Sequence, residues 1–121
     1  MCIRDRSYIT QRGAEAIYTP EGKEQVKANI RYYMDNVQIL KRALTEFGLR
    51  VAGGEDAPYL WVQAPNGMSS WKFFDKLLYE AHIVGTPGIG FGPSGEGYMR
   101  FTGFGKKEDC KEAIYRLRRC L

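Results

Sequence analysis

The sequence predicts a small α/β (α+β) domain, in which a mostly antiparallel sheet has helices packed on one face. Two observations support this prediction. Apolar residues recur at helical spacing in three segments, and short alternating segments typical of strands lie between them. The resulting order is helix, two strands, helix, two strands, helix. Such an order suits a sheet that buries one side under helices.

The longest helix is predicted to begin at Pro20. Thr19 precedes it as a capping residue, and a proline at the first helical position loses no hydrogen bond, because a nitrogen there has no partner within the helix. Gly48 provides the stop. The core-facing stripe between them has spacings of four and three: Val26, Ile30, Tyr33, Val37, Leu40, Leu44 and Phe47.

A hairpin and two further helices are predicted after the first helix. The segment LRVAGGEDAPYLWVQA predicts a hairpin, because a Gly-Gly-Glu-Asp turn separates two runs of strand formers. The segment NGMSSWKFFDKLLYEAH predicts a helix capped by Ser69 or Ser70. Its predicted inward residues are Phe74, Leu77, Leu78 and Ala81. The last helix, KKEDCKEAIYRLRRCL, has its stripe at Cys110, Ala113, Ile114, Leu117 and Leu121.

The stretch GTPGIGFGPSGEGYMRFTGFG, residues 85–105, is the first place to look for a binding site. It holds eight of the 14 glycines, and glycine at this density serves tight turns or the close approach of a ligand. A short strand, IVGTP, leads into it and a second strand, GYMRFTGF, ends it. Alternation along that second strand gives two sets of side chains: Tyr98, Arg100 and Thr102 on one face, and Met99, Phe101 and Gly103 on the other.

Arg100 is the candidate binding residue. A guanidinium on a rigid strand, beside a loop with few side chains, is suited to hold a carboxylate or phosphate with two parallel hydrogen bonds. We expect the glycines to leave room for that ligand. The alternative is an ordinary surface arginine on an exposed strand.

The glycine stretch also fits two other motifs in part, a dinucleotide-binding loop and an RNA-recognition strand. The segment GFGPSG, residues 90–95, fits GxGxxG, but a dinucleotide site needs a helix directly after the motif, whereas here Pro93 intervenes and a strand follows. The segment GYMRFTGFG has the basic and aromatic pattern of an RNA-recognition strand, with YLWV as a possible partner. That module needs a fourth strand after its second helix, which this chain lacks.

Composition limits the function classes. The 121 residues suffice for one domain, and no run of 18 apolar residues predicts a membrane span. The net charge of +4 is small for a dedicated nucleic-acid binder. Three cysteines without CxxC spacing favour neither a disulfide framework nor a metal site. The opening MCIRDRS, residues 1–7, has no periodicity, and we expect it to be a non-native leader on a fragment of a longer protein.

The remaining chemically capable side chains favour structural roles. Lys72 lies in an SxxK spacing, but it opens a helix and is predicted to be solvated. His82, the only histidine, ends the same helix without an implied partner. Four others are predicted to be core, surface or domain-interface residues: Cys110, Cys120, Trp61 and Trp71.

From about Tyr8 to its end, the chain resembles the C-terminal segment of the LL-diaminopimelate aminotransferase family, pyridoxal-phosphate enzymes among the fold-type I aminotransferases. The resemblance rests on DAPYLWVQAPNGMSSWKFFDKLLYEAHIV and, most specifically, on GTPGIGFGPSGEGYMRFTGFG. It implies amino transfer between LL-2,6-diaminopimelate and 2-oxoglutarate in lysine biosynthesis. An aminotransferase with another amino acid substrate, and an RNA- or anion-binding module, stay open as alternatives.

The resemblance also implies roles for particular residues. Arg100, in the motif GYxR, would bind the substrate α-carboxylate, and Tyr8 aligns with a position that contacts cofactor or substrate across the dimer in some relatives. The chain would hold no catalytic residue, because the Schiff-base lysine and most of the pyridoxal 5'-phosphate site would lie upstream on the large domain. The fragment alone is therefore expected to be inactive.

The implied organisation has three parts. Residues 1–7 would be the leader, residues 8–19 a remnant of the connection to the large domain, and residues 20–121 the C-terminal small domain. The full-length enzyme is expected to be a cytoplasmic homodimer that takes small amino acids and oxo acids, with no nucleic acid or membrane partner.

Overall fold

The computed structural model describes residues 6–121, so the first five residues of the predicted leader, Cys2 among them, lie outside the described part. The chain forms two compact units, one that runs to Tyr32 and one that comprises Tyr33–Leu121. Their division does not decide the predicted domain limits, which stay a prediction.

The first unit is helical and exposed. Helix α1 (Tyr8–Glu15) begins after Ser7, whose Oγ accepts a hydrogen bond from the Thr10 amide at 3.3 Å, and a 3-10 turn (Ala16–Tyr18) follows. Helix α2 (Pro20–Glu46) then begins where the sequence predicted. The Gly22 amide donates to Thr19 Oγ1 at 3.0 Å, which confirms the predicted cap.

The second unit contains the remainder of α2, four strands and two further helices. The strands are β1 (Val51–Gly53), β2 (Tyr59–Gln63), β3 (Thr86–Pro87) and β4 (Tyr98–Thr102). Helix α3 (Ser70–Lys76) continues into a π-helical turn (Leu77–Ala81), and helix α4 (Lys107–Cys120) ends the chain. All strand pairs are antiparallel, in the order β1-β2-β4-β3, which confirms the predicted hairpin and sheet type.

One face of this sheet carries the core. Leu60 and Val62 of β2 and Met99 of β4 are fully buried, and Phe101 is 7% exposed. The helices supply the opposing side chains of the same cluster, among them Val37, Leu40, Leu44, Phe73, Leu77 and Leu117. Alternate residues of the same strands therefore lie on a second face, away from the helices.

Several predicted details hold only in part. Leu77 and Ala81 are buried as predicted, but the buried ring of α3 is Phe73, because its stripe runs through Ser70, Phe73, Leu77 and Ala81 and leaves Phe74 half-buried. Trp71 is 58% exposed, so it is not a core residue, and its alternative role at a domain interface stays a prediction. The brief strand predicted in IVGTP is confirmed and has two residues. On α2 the predicted stripe is buried only at Val37, Leu40 and Leu44, whereas Val26 and Ile30 are exposed.

Candidate functional site

Arg100 lies at the centre of β4, on the face of the sheet opposite the core. It pairs with Trp61 of β2 on one side and Thr86 of β3 on the other. Its neighbours Met99 and Phe101 are buried, whereas Arg100 itself is half-buried. The alternation predicted for this strand is confirmed, and it places the guanidinium outside the core on a paired, rigid element.

Aromatic rings surround the guanidinium. The Arg100 Cζ lies 4.8 Å from the ring centroid of Tyr59 and 4.7 Å from that of Phe91, which is cation–π distance in both cases. Trp61 meets Phe91 edge to face at 5.6 Å and stacks on Tyr98 at 5.7 Å. We call these four residues, Tyr59, Trp61, Phe91 and Tyr98, the aromatic cluster.

The side chain of Arg100 has no polar partner in the part of the chain that the structure describes. Among residues 6–121, no ion pair and no hydrogen bond involves its side chain. Its five N–H donors form a planar fork that matches a carboxylate. The arrangement is therefore suited to bind a carboxylate with two charge-assisted hydrogen bonds.

Part of the glycine stretch is closely packed. It forms two 3-10 turns, Gly88–Phe91 and Pro93–Gly95. A Cβ on Gly95 would lie 2.0 Å from the Gly88 carbonyl oxygen, and one on Gly88 would lie 2.2 Å from that of Gly95. These two glycines therefore make room for each other, whereas a Cβ on Gly90, Gly92 or Gly105 would meet nothing within 4 Å, and room for a ligand there stays a prediction.

Ser70, which sequence reasoning treated only as a possible cap, fastens this loop to α3. Its buried Oγ donates to the Gly95 carbonyl and accepts from the Tyr98 amide, both at 3.2 Å, while its own amide donates to Glu96 Oε1 at 3.0 Å. Ser69 is the residue that caps the helix, since the Lys72 amide donates to its Oγ. Contacts across some 25 residues leave no periodic signal, which is why the sequence did not reveal them.

A cavity of about 280 Å³ lies beside β4, where the two-residue strand β3 begins. Its lining is mainly apolar and includes Arg100, Phe101 and Cys110. Burial, with a smaller contribution from Asp109, raises the pKa of the Cys110 thiol. Because the thiolate is the nucleophilic form, this cysteine is poorly suited to covalent chemistry.

The other residues singled out in the sequence do not join this site. His82 is exposed in a left-handed conformation after the π-helical turn, and Lys72 is exposed on α3. The Cys120 Sγ lies 3.6 Å from Glu80 Oε2, and burial raises the pKa of the Cys120 thiol. Tyr8 begins α1 in the first unit and is 75% exposed. Its predicted role is not tested by the structure.

Arg100 is the residue of the second unit whose chemistry fits a carboxylate ligand, because its planar guanidinium can donate two parallel hydrogen bonds.

Comparison with known proteins identifies the family. The aminotransferase class I and II model matches residues 1–117. An LL-diaminopimelate aminotransferase from Phocaeicola vulgatus is 69% identical over 115 residues, which is 95% of this chain and 28% of that protein. One from Lawsonia intracellularis is 54% identical over the same shares. The chain thus spans under a third of the length of the curated relatives it matches.

Solved structures agree. An L,L-diaminopimelate aminotransferase from Chlamydomonas reinhardtii superposes with a TM-score of 0.92 at 44% identity, over 98% of this chain and 29% of that one. An aromatic aminotransferase from Pyrococcus horikoshii superposes with a TM-score of 0.82 at 29% identity, over 88% of this chain and 29% of that one. These matches do not favour the RNA-binding alternative. The chain belongs to the class I and II aminotransferase family.

Proposed function

We propose that this chain is the C-terminal part of a pyridoxal-phosphate-dependent LL-diaminopimelate aminotransferase, and that Arg100 binds the α-carboxylate of its substrates. The observation that carries the proposal is the guanidinium on β4, held on the open face with no hydrogen bond or ion pair to its side chain from residues 6–121. Every amino acid and 2-oxo acid substrate of a transaminase has a carboxylate beside the reacting carbon. A bidentate contact to that carboxylate fixes the reacting carbon in place.

The names of the relatives support the substrate assignment. Those cited above, from 54% to 69% identical over 95% of this chain, are LL-diaminopimelate aminotransferases. The proposed reaction is therefore amino transfer between LL-2,6-diaminopimelate and 2-oxoglutarate, in lysine biosynthesis. Arg100 recognises a group common to both substrates, so selection of the side chain would rest on residues outside this chain.

The remaining parts of the enzyme are assigned to the portion that precedes this chain. Pyridoxal phosphate, which withdraws electrons from the substrate's α-carbon when bound, would be held there by the Schiff-base lysine and a phosphate cup. Residues 8–19 would connect the two domains, residues 20–121 would form the small domain, and Tyr8 would contact cofactor or substrate in a homodimer. None of the described helices is long and apolar enough to cross a bilayer. We place the enzyme in the cytoplasm.

A chimeric enzyme tests the role of Arg100. The matching 115 residues of the Phocaeicola vulgatus protein are replaced by those of this chain, and activity is measured with LL-2,6-diaminopimelate and 2-oxoglutarate. We expect the chimera to be active and Arg100→Ala to lower kcat/KM by about 100- to 1000-fold, since two charge-assisted hydrogen bonds are lost. Arg100→Lys should recover only part of this, because an ammonium does not bind a carboxylate through a planar fork.

Arg118 provides the matched control. It is also an arginine beside an aromatic ring, with Cζ 5.8 Å from the Phe47 centroid, but it lies on α4 and is exposed. Arg118→Ala should leave kcat/KM unchanged. An Arg100→Ala chimera within twofold of the parent would show that Arg100 does not bind the substrate.

The substrate assignment needs the full-length protein that carries this chain. It is expected to prefer LL-2,6-diaminopimelate over aspartate and phenylalanine as amino donor. A higher kcat/KM for either of the latter would identify an aminotransferase of different specificity.

A further inference from the structure

The surroundings of Arg100 raise a question that its carboxylate contact does not answer. An arginine side chain has many rotamers, and holding it in one geometry costs conformational entropy. In ion pairs a carboxylate usually fixes the guanidinium, but among the described residues Arg100 has no such partner. The groups that do lie against it are two aromatic rings.

Tyr59 reaches the guanidinium from the neighbouring strand. It pairs with Thr102, and Arg100 pairs with Trp61, so Tyr59 and Arg100 are diagonal neighbours on the same face. The Tyr59 ring is 40% exposed and contributes nothing to the core cluster. Its position beside Arg100 is therefore not explained by core packing.

Phe91 reaches the guanidinium from the glycine loop, and that loop is held in place. The Gly88–Gly95 contact and the Ser70 hydrogen bonds fix the backbone on either side, and Trp61 packs against the Phe91 ring. Phe91 is nevertheless 54% exposed. A large exposed ring on a braced loop indicates a role at the surface of the site rather than in the core.

We propose that Tyr59 and Phe91 are positioning residues for Arg100: their rings hold the guanidinium by cation–π contact and leave its N–H groups for the substrate carboxylate. This inference rests on the proposed function of Arg100. Aromatic rings suit this task, because they attract the cation without accepting hydrogen bonds in the guanidinium plane. A carboxylate in the same place would compete with the substrate.

The test uses the chimeric enzyme and two readouts, the KM for 2-oxoglutarate and the Kd for glutarate. Glutarate has both carboxylates of 2-oxoglutarate and no carbonyl to react. Tyr59→Leu and Phe91→Leu are each expected to raise KM and Kd about two- to fivefold, with kcat changed by less than twofold. Tyr59→Phe and Phe91→Tyr keep the ring and should restore the parent values.

Phe104→Leu is the matched control, since Phe104 is 52% exposed and contacts Tyr59 at 5.6 Å, but it is not one of the rings beside the guanidinium. It should leave both constants unchanged. In an Arg100→Ala background, the leucine substitutions should have no further effect, because the group they position is gone.

Fluorinated phenylalanine at position 91 gives an answer even if a leucine variant does not fold. Fluorine weakens the negative face of the ring and keeps its shape, so the glutarate Kd should rise stepwise with the number of fluorine atoms. Leucine variants that match Phe104→Leu, or a Kd independent of fluorination, would overturn the positioning role. If instead Arg100→Ala itself has no effect, the proposed function has failed.

Discussion

The two faces of the same sheet differ in what their residues contact. On β2 and β4, Leu60, Val62, Met99 and Phe101 are buried against the helices, while Tyr59, Trp61, Tyr98 and Arg100 are half-buried or exposed. Because side chains alternate along a strand, each of these four open-face residues lies next to a core residue in sequence. Within each strand, residues that pack in the core thus alternate with residues of the candidate site.

The two faces also differ in their chemistry. Among the described residues, the core cluster has no charged side chain and is filled by aliphatic, methionine, phenylalanine and cysteine side chains. The open face holds a cation among rings, which would be costly to bury without a partner and is tolerated because it remains accessible. We therefore expect substitutions on the two faces to separate stability from substrate binding.

The largest effect on stability is expected for Leu60→Ala, next to Tyr59 in sequence but fully buried. Removing this side chain leaves a cavity in the core and should lower the free energy of unfolding by about 2 to 5 kcal/mol. Hydrogen exchange of the β2 and β4 amides in the chimeric enzyme measures the loss. The KM of the folded enzyme should not change.

Tyr59→Leu provides the converse case on the same strand. It should raise the KM for 2-oxoglutarate and leave the protection of the β2 and β4 amides from exchange nearly unchanged. The expected separation of stability from substrate binding would be wrong if Leu60→Ala raised KM as much as Tyr59→Leu does. It would also be wrong if both variants lost equal amide protection from exchange.

A smaller loss of stability is expected for Gly95→Ala, which tests whether the packing of the loop positions Phe91 beside Arg100. The new Cβ would meet the Gly88 carbonyl oxygen at 2.0 Å, so one backbone segment must move. Such overpacking should cost about 2 to 3 kcal/mol, and displacement of Phe91 should raise the KM for 2-oxoglutarate.

Gly90→Ala is the control in the same loop, because nothing lies within 4 Å of its Cβ position. It should behave as the parent in both measurements. A Gly95→Ala enzyme with normal stability and KM would show that the close contact of the two turns does not fix the loop.

Local patterns predicted much of this structure. Thr19 and Pro20 marked the start of α2, and alternation alone placed Arg100 on the face away from the core. Both features depend on neighbours in sequence. The assignment of α3 was less accurate because Phe73 and Phe74 are adjacent aromatics, and only packing against the sheet decides which one is buried.

The partners of Arg100 could not be read from the sequence. Tyr59 reaches it through the register of β2 on β4, and Phe91 through the fold of the glycine loop. Register and loop packing are tertiary properties, set by residues far apart along the chain. The sequence therefore predicts Arg100 as a candidate binding residue, and the structure adds the two rings that lie beside its guanidinium.

The smallest effect is expected for Ser70→Ala, which removes the link between the helix layer and the loop on the open face. The buried Oγ bonds both the Gly95 carbonyl and the Tyr98 amide, and without it these groups lose a partner. The free energy of unfolding should fall by about 1 to 2 kcal/mol, measured by hydrogen exchange of the Tyr98 amide.

Ser94→Ala is the control, since Ser94 is an exposed serine of the same loop, and it should change neither exchange nor KM. Because Tyr98 begins the strand that carries Arg100, loss of the Ser70 bonds should also raise KM slightly. A stability loss with no change in KM would mean that Ser70 serves the core face alone.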